Sequence, residues 1–199
     1  MAILGSRPGR SLTKLEITAS VLMGLLFLAT GESQEKLSAP SPNSSSAASH
    51  QQLPKLFTSV LADVKAECHL PVLLPSELPK PIADAEHAVV QNTSAGAYSI
   101  GLFYELEIGN AGFAANFSGE SKPRYSASEL GREIKLARGK RGYFRPVSCG
   151  GSCAPANLWW EANGVLYAVQ LRLSASSSEK SQQDTITAVA NSAILAGPR

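Results

Sequence analysis

An Asn-Gly pair between two strand-like runs constrains this chain more than any other feature. It lies in the stretch Cys149–Leu173, which reads CGGSCAPANLWWEANGVLYAVQLRL. Asn163-Gly164 suits a type I′ turn, because that turn needs positive φ at both central residues. After the turn, every second residue is apolar, which is typical of a half-buried strand. The stretch therefore predicts a β-hairpin, with strands over 157–161 and 165–173.

Other alternating runs predict a sheet around this hairpin. The longest extends from Tyr98 to Ile108 and predicts one unbroken strand, with Glu105 and Glu107 on its solvent-facing side. A turn over 109–112 joins it to a strand that begins at Phe113. Shorter strands are predicted at 88–91, at 132–137 and from residue 143.

Two helices complete the predicted domain. Apolar residues recur at helical spacing over 55–67 and again over 179–195, which predicts two amphipathic helices. The prolines at 71, 75, 79 and 81 exclude a helix and favour extended chain that packs into the core. The predicted fold class is α+β, with an antiparallel sheet of about six strands and the N- and C-terminal helices packed on one face. It forms a single globular domain over 55–199.

Residues 1–54 differ in composition from this domain. A basic segment precedes the apolar run ITASVLMGLLFLA at 17–29, and small residues stand at Ala29 and Gly31. These are the parts of a secretory signal peptide over 1–31, and an uncleaved N-terminal anchor is the alternative. The Ser-, Ala- and Pro-rich tract 32–54 predicts a disordered linker, because too few apolar residues offset its chain entropy. We therefore expect export, with the domain periplasmic, secreted or membrane-anchored facing outward.

The net charge is concentrated in the N-terminal segment. The chain holds 18 basic and 16 acidic residues, and residues 1–31 account for three of the basic and one of the acidic, which leaves 15 of each. A neutral remainder argues against general nucleic-acid binding. One cluster in the domain is strongly basic and contains Arg132, Lys135, Arg138, Lys140, Arg141 and Arg145. We interpret it as a solvated hairpin that resists edge-to-edge pairing, with contact to an anionic surface as the alternative.

The three cysteines indicate one disulfide and either a remaining thiol or an intermolecular bond. A local bond between Cys149 and Cys153 fits, and so does a long-range bond from either residue to Cys68. Zinc bound by Cys68, His69, Cys149 and Cys153 is the metal-binding alternative, although an adjacent Cys-His pair is a poor chelate. The CxxxC spacing also differs from the CxxC motif of thiol–disulfide enzymes.

No catalytic residue, cofactor site or metal site is predicted. Gly151-Ser152 comes near a G-x-S-x-G nucleophile elbow, but Ala154 stands where the second glycine is needed. Glu105 and Glu107 share a strand face and are better explained as solvent-facing residues than as an acid–base pair.

A possible binding surface is centred on two adjacent tryptophans. Because neighbouring residues of a strand point to opposite faces, one of Trp159 and Trp160 enters the core and the other points outward. The outward ring is suited to stacking on a sugar or on a partner surface, unless a second layer buries it. The predicted surface combines both tryptophans with the nearby basic residues Arg138, Lys140, Arg141 and Arg145.

The order of several segments resembles that of exported bacterial domains of unknown function. These segments are LPVLLPSELP, YSIGLFYELEI, GYF with a following proline, LWWEANGVLYAVQL and a final helix ending in ANSAI. The strand pattern is similar to half of a lipoprotein-carrier-like curved sheet with a helix on its inner face. The resemblance covers residues 56–197 and implies a fold, and it assigns no catalytic residue.

Three functions follow as expectations. The first is a non-enzymatic extracytoplasmic module, binding or structural, that contacts an envelope component or a partner protein. The second is a secreted metal-dependent or hydrolytic domain that uses the Cys/His cluster. The third is a carrier of lipid or another hydrophobic ligand, which requires a large apolar cavity between helix and sheet. Membrane contact is expected only through an uncleaved N-terminal anchor.

Overall fold

The computed structural model describes residues 52–199. The predicted signal peptide or anchor over 1–31, and all but the last three residues of the predicted linker, lie outside the described residues. Within residues 52–199, none of the helices has the length and apolarity needed to cross a membrane.

The described residues form two α-helices and nine strands. Their bounds are α1 Lys55–Glu67, β1 His87–Ser94, β2 Ala97–Phe103, β3 Phe113–Glu120, β4 Arg132–Lys135, β5 Arg141–Arg145, β6 Ser148–Cys149, β7 Cys153–Ala154, β8 Ala156–Ala162, β9 Val165–Leu171 and α2 Glu179–Ala196. Seven strands form one antiparallel sheet in the order β1-β2-β3-β9-β8-β5-β4, whereas β6 and β7 form a separate small hairpin. The α+β fold class is confirmed, with seven strands in the main sheet where about six were predicted.

Both helices contribute to one hydrophobic core on one face of this sheet. Phe57 of α1 meets Phe117 of β3 edge to face, with ring centroids 5.3 Å apart. Phe117 lies opposite Val169 of β9, which in turn lies opposite Leu158 of β8. Ile186 of α2 belongs to the same core and is fully buried. The helical and strand periodicities therefore bring their apolar faces together, as amphipathic elements require.

The Asn-Gly hairpin is confirmed. Asn163 has a φ of 53° and Gly164 a φ of 74°, so both central residues have the positive φ of a type I′ turn. A Cβ added to Gly164 would have no heavy atom within 4 Å. Backbone conformation, and not space, therefore makes glycine the suitable residue here.

The single long strand predicted from Tyr98 to Ile108 is wrong. The strand β2 ends at Phe103, and the Tyr104 backbone N–H donates to the Gly112 carbonyl at 2.8 Å. Leu106 and Ile108 are 48% and 49% exposed, and Glu105 and Glu107 lie in the same turn-rich loop and not on a strand. The physical reason is pairing, since Phe103 lies opposite His87, the first residue of β1. The Glu86 N–H, just before β1, still donates to the Phe103 carbonyl at 3.0 Å, but no residue of β1 lies opposite Tyr104 or the residues after it.

The proline-rich segment packs into the core as predicted. Val72 and Leu74 are buried. Two tyrosines from the sheet hold this segment by hydrogen bonds. The Tyr98 hydroxyl accepts from the Leu73 backbone N–H at 3.1 Å, and the Tyr167 hydroxyl donates to the Pro71 carbonyl at 3.0 Å.

Candidate functional site

The face of the sheet opposite the helices carries mainly polar and aromatic side chains. We call it the open face and define it by two rows that cross five strands from β2 to β5. The first row is Ser99, Ser118, Ala168, Trp159 and Tyr143. The second row is Gly101, Asn116, Gln170, Asn157 and Arg145. Within each row, every residue lies directly opposite the next on the neighbouring strand, so their side chains are in lateral contact range.

Alternation along each strand explains why these residues share a face. On β8 and β9 the core positions are Leu158, Trp160 and Val169, so the residues between them point away from the helices. Trp159, Tyr143 and Gln170 are half-buried, as expected for side chains that touch only their neighbours on a sheet surface.

The two adjacent tryptophans have different environments. Trp160 is 1% exposed and stacks on Tyr167, with ring centroids 5.5 Å apart. The prediction that Trp160 belongs to the binding surface is therefore wrong, because the alternation of side chains along β8 directs Trp160 into the core. Trp159 points to the open face, where the Arg145 guanidinium carbon lies 5.3 Å from the ring centroid. This distance is that of a cation–π contact, which holds the guanidinium over the indole.

The second row contains three amide side chains on adjacent strands, Asn116, Gln170 and Asn157. The Asn116 Oδ1 accepts from the Ser99 hydroxyl at 2.9 Å. Asn157 is 7% exposed and its Nδ2 donates to the Pro155 carbonyl at 2.7 Å. The Asn157 Oδ1 has no hydrogen-bond partner among the described residues. A buried amide oxygen without a partner carries a desolvation cost that a donor from a ligand or a water molecule would remove.

Among the six basic residues of the predicted cluster, only Arg145 lies over Trp159. Arg132 pairs with Glu179 of α2 at 2.5 Å, and Arg141 lies 4.0 Å from Glu133. Arg138 donates to the Leu195 carbonyl near the C-terminus of α2 at 3.2 Å. These contacts spread the side chains over different sides of the hairpin, because residues of β4, β5 and their connection point to both faces of the sheet.

Lys140 and Arg141 line a surface cavity that adjoins the open face at Tyr143. Its volume is about 400 Å³, and Ser126, Ser128, Tyr143 and Glu161 complete the lining. The cavity holds both an acidic and two basic side chains, so its charge is mixed. The predicted cluster is therefore not a single cationic patch.

Of the cysteine pairings that the sequence allowed, the structure contains the local one. Cys149 and Cys153 lie opposite each other in the β6–β7 hairpin and form a disulfide. Cys68 is a buried free thiol. The proposed zinc site from Cys68, His69, Cys149 and Cys153 is wrong, because two of its four ligands are bonded to each other. Within residues 52–199, no three His, Cys, Asp or Glu side chains are grouped to hold a metal ion.

The disulfide hairpin forms one wall of a groove at the end of the sheet. The groove has a volume of about 470 Å³, and its lining includes Phe113, Val147, Cys153, Pro155, Arg172 and Leu173. Arg172 donates to the Ala111 carbonyl and so fixes the opposite wall. The loop Cys149–Pro155, whose role no sequence pattern predicted, therefore forms part of this groove.

The carrier hypothesis required an apolar cavity between helix and sheet. Phe57, Ile100, Leu158 and Ile186 have no solvent-accessible surface and form a single packed core. These four side chains therefore line no solvent-reachable space between helix and sheet, and the carrier hypothesis stays a prediction.

Sequence reasoning identified Trp159 and Arg145 but missed the amide row. The sequence contained enough information to place two members of the amide row beside each other. Counting outward from the Asn163-Gly164 turn places Asn157 directly opposite Gln170. Asn116 lies on a third strand whose pairing with β9 no local pattern reveals.

Comparison of this chain with protein-family models, with curated proteins and with solved structures finds no match. The assignment of function therefore rests on the open face and on the N-terminal sequence.

Proposed function

We propose that this protein is a non-enzymatic extracytoplasmic binding module that contacts an envelope component or a partner protein through the open face. The observation that carries the proposal is the combination of Trp159, the amide row and Arg145 on the sheet face opposite both helices. Aromatic rings and guanidinium groups are enriched at recognition surfaces, and amide groups add hydrogen-bond donors and acceptors. Within residues 52–199, Arg145 has no carboxylate within 4 Å, so its charge is available to a ligand.

Two features support the extracytoplasmic location that is part of this proposal. The basic segment, the apolar run at 17–29 and the small residues after it have the order of a signal peptide. A Cys149–Cys153 disulfide is stable in an oxidising compartment, which agrees with a location outside the cytoplasm.

Export is tested by fusing a phosphatase that is active only after oxidative folding to the C-terminus of the chain. We expect activity from the fusion, and loss of it when Leu25→Arg and Leu26→Arg are introduced into the apolar run. N-terminal sequencing of the recovered protein then separates a cleaved signal peptide from an anchor. An inactive fusion of the unaltered chain contradicts export.

Binding is tested by co-sedimentation of the full chain with an envelope fraction from the cells that make it. We expect Trp159→Ala to lower the bound fraction strongly. The exposed Leu195 of α2 provides a matched control on the helix side, and Leu195→Ala should leave the bound fraction unchanged. Absence of co-sedimentation, or equal loss in both variants, contradicts the proposed function.

A further inference from the structure

We propose that the groove beside the disulfide hairpin binds an amphiphilic monocarboxylate of the fatty-acid class, with its tail on the apolar lining and its carboxylate against Arg172. This inference goes beyond the proposed function, because neither Trp159 nor the amide row lines the groove. The groove is also a different place from the helix–sheet cavity that the carrier hypothesis requires.

The lining of the groove is almost entirely apolar. Of the ten described residues that line it, Ser152 and Arg172 alone carry polar side chains. Phe113 and Leu173 are half-buried, so their side chains still offer surface to a ligand. The Phe113 ring is held edge to face by Phe103, with ring centroids 6.1 Å apart. The volume of about 470 Å³ lies in the range of small-molecule sites.

Both walls of the groove are tied in place by bonds within the chain. The Cys149–Cys153 disulfide closes the hairpin that supplies Cys153 and Ala154 to one wall. On the other wall, Arg172 donates to the carbonyl of Ala111. A site whose walls are already held loses less conformational entropy when a ligand binds.

Arg172 gives the groove a single positive charge. Its Nη1 donates to the carbonyls of Ala111 and Phe113, which both line the groove, so the guanidinium lies at the lining. Within residues 52–199, no carboxylate lies within 4 Å of Arg172, and its Nε and Nη2 groups make no hydrogen bond. Paired guanidinium donors match the two oxygens of a carboxylate. The charge therefore favours an anionic headgroup.

The low polarity of the lining favours an alkyl tail over a peptide. A peptide brings an N–H and a C=O with every residue, and each group needs a partner when it is buried. The lining side chains that could supply such partners are Ser152 and Arg172. An alkyl tail needs none, and its burial is favourable in proportion to the apolar area removed from water.

The experiment measures binding of the full chain to decanoate, decanol and decyltrimethylammonium by isothermal titration calorimetry, each below the concentration at which it forms micelles. The three molecules share a tail and differ in the charge of the headgroup. We expect decanoate to bind about tenfold or more tightly than decanol, because the guanidinium attracts the carboxylate. Decyltrimethylammonium should bind more weakly than decanol, because Arg172 repels its charge.

Substitutions locate the site. Ala175→Trp fills the groove from an exposed turn and should weaken the binding of both decanoate and decanol by about tenfold or more. Ala95→Trp is the matched control, because it places the same ring in the exposed turn between β1 and β2, and it should bind as the unaltered chain does. Arg172→Gln should abolish the preference for decanoate over decanol, and Arg172→Lys should retain part of it. Trp159→Ala should leave all three affinities unchanged.

Four outcomes overturn the inference. The first is that decanoate does not bind, or binds no more tightly than decanol. The second is that Ala175→Trp weakens decanoate binding no more than Ala95→Trp does, because the site is then elsewhere. The third is an equal loss in Arg172→Gln and Arg172→Lys, because the charge is then not what the ligand recognises. The fourth is tighter binding of a leucine tripeptide with a blocked N-terminus than of decanoate, which identifies a peptide ligand. All four leave the proposed function intact, since co-sedimentation and Trp159→Ala test the open face separately.

Discussion

At the scale of single residues, Trp159 and Trp160 show how one step along a strand changes the role of a side chain. Trp160 is buried against Tyr167 in the core, whereas Trp159 lies under Arg145 on the open face. The same side-chain type is therefore part of the packing at one position and part of the candidate site at the next.

This difference predicts unequal effects on stability. Trp160→Ala should lower the free energy of unfolding by about 3–5 kcal/mol, because it removes a large buried ring and leaves a cavity. Trp159→Ala should cost about 1 kcal/mol, since its ring is half-exposed. Urea denaturation of both variants measures the difference. Equal losses would mean that the two rings are buried to the same extent.

Two buried tyrosines predict sensitivity to alkaline pH. Burial raises the pKa of Tyr167 to about 12 and also raises the pKa of Tyr98 above its ordinary value. The folded protein therefore favours the neutral phenols. Their contribution to stability is complete below pH 10, where the unfolded tyrosines begin to ionise, and is lost as the pH rises from about 10 towards 12.

Tyr167→Phe isolates this effect. Near pH 8 the variant should be less stable by about 1 kcal/mol, because it lacks the hydrogen bond to the Pro71 carbonyl. Above pH 10 its stability should fall less steeply than that of the unaltered chain, by about 1.4 kcal/mol per pH unit. Urea midpoints at pH 8, 10 and 11 measure the two slopes, and identical slopes would contradict the assignment.

At the scale of elements, the β6–β7 hairpin is closed by the Cys149–Cys153 disulfide and is separate from the main sheet. The loop that the bond closes is short, so the bond restricts the unfolded chain by only about 2 kcal/mol. Replacing both cysteines by serine should therefore lower the free energy of unfolding by about 2 kcal/mol or less, measured by urea denaturation. A loss comparable to that of Trp160→Ala would show that the hairpin is required by the core.

The β2 strand illustrates the limit of periodicity at this scale. Alternation continues through Tyr104, Leu106 and Ile108, yet the strand ends at Phe103. The alternating pattern predicts only which residues would face the core if the strand continued. Whether the strand continues depends on a neighbouring strand, and β1 begins at His87, so it has no residue opposite Tyr104 or the residues after it.

At the scale of the whole molecule, residues 52–199 enclose one core to which both helices contribute. A chain that begins at residue 52 should therefore unfold in urea with a free energy within about 0.5 kcal/mol of that of the full chain. A chain that begins at residue 70 lacks α1 and the buried Phe57, Val60 and Val64. It should be less stable by several kcal/mol or fail to fold. Equal stability of the two truncated chains would mean that α1 is dispensable.

Local patterns were sufficient for much of this protein. Helical spacing predicted α1 and α2, and the Asn163-Gly164 turn predicted the β8–β9 hairpin. Alternation also predicted that one tryptophan faces the core and the other faces away. These features depend on backbone geometry and side-chain periodicity within a few residues. Both can be inferred directly from the local sequence.

The tertiary structure alone decided the features that join distant segments. Pairing of β3 with β9 brings Asn116 beside Gln170 and completes the amide row. Formation of the β6–β7 hairpin selects Cys153, and not Cys68, as the partner of Cys149. Because both helices cover the same side of the sheet, Trp159 and Arg145 lie on the uncovered side. Such pairings are chosen by the packing of the whole core, so no local pattern of residues can specify them.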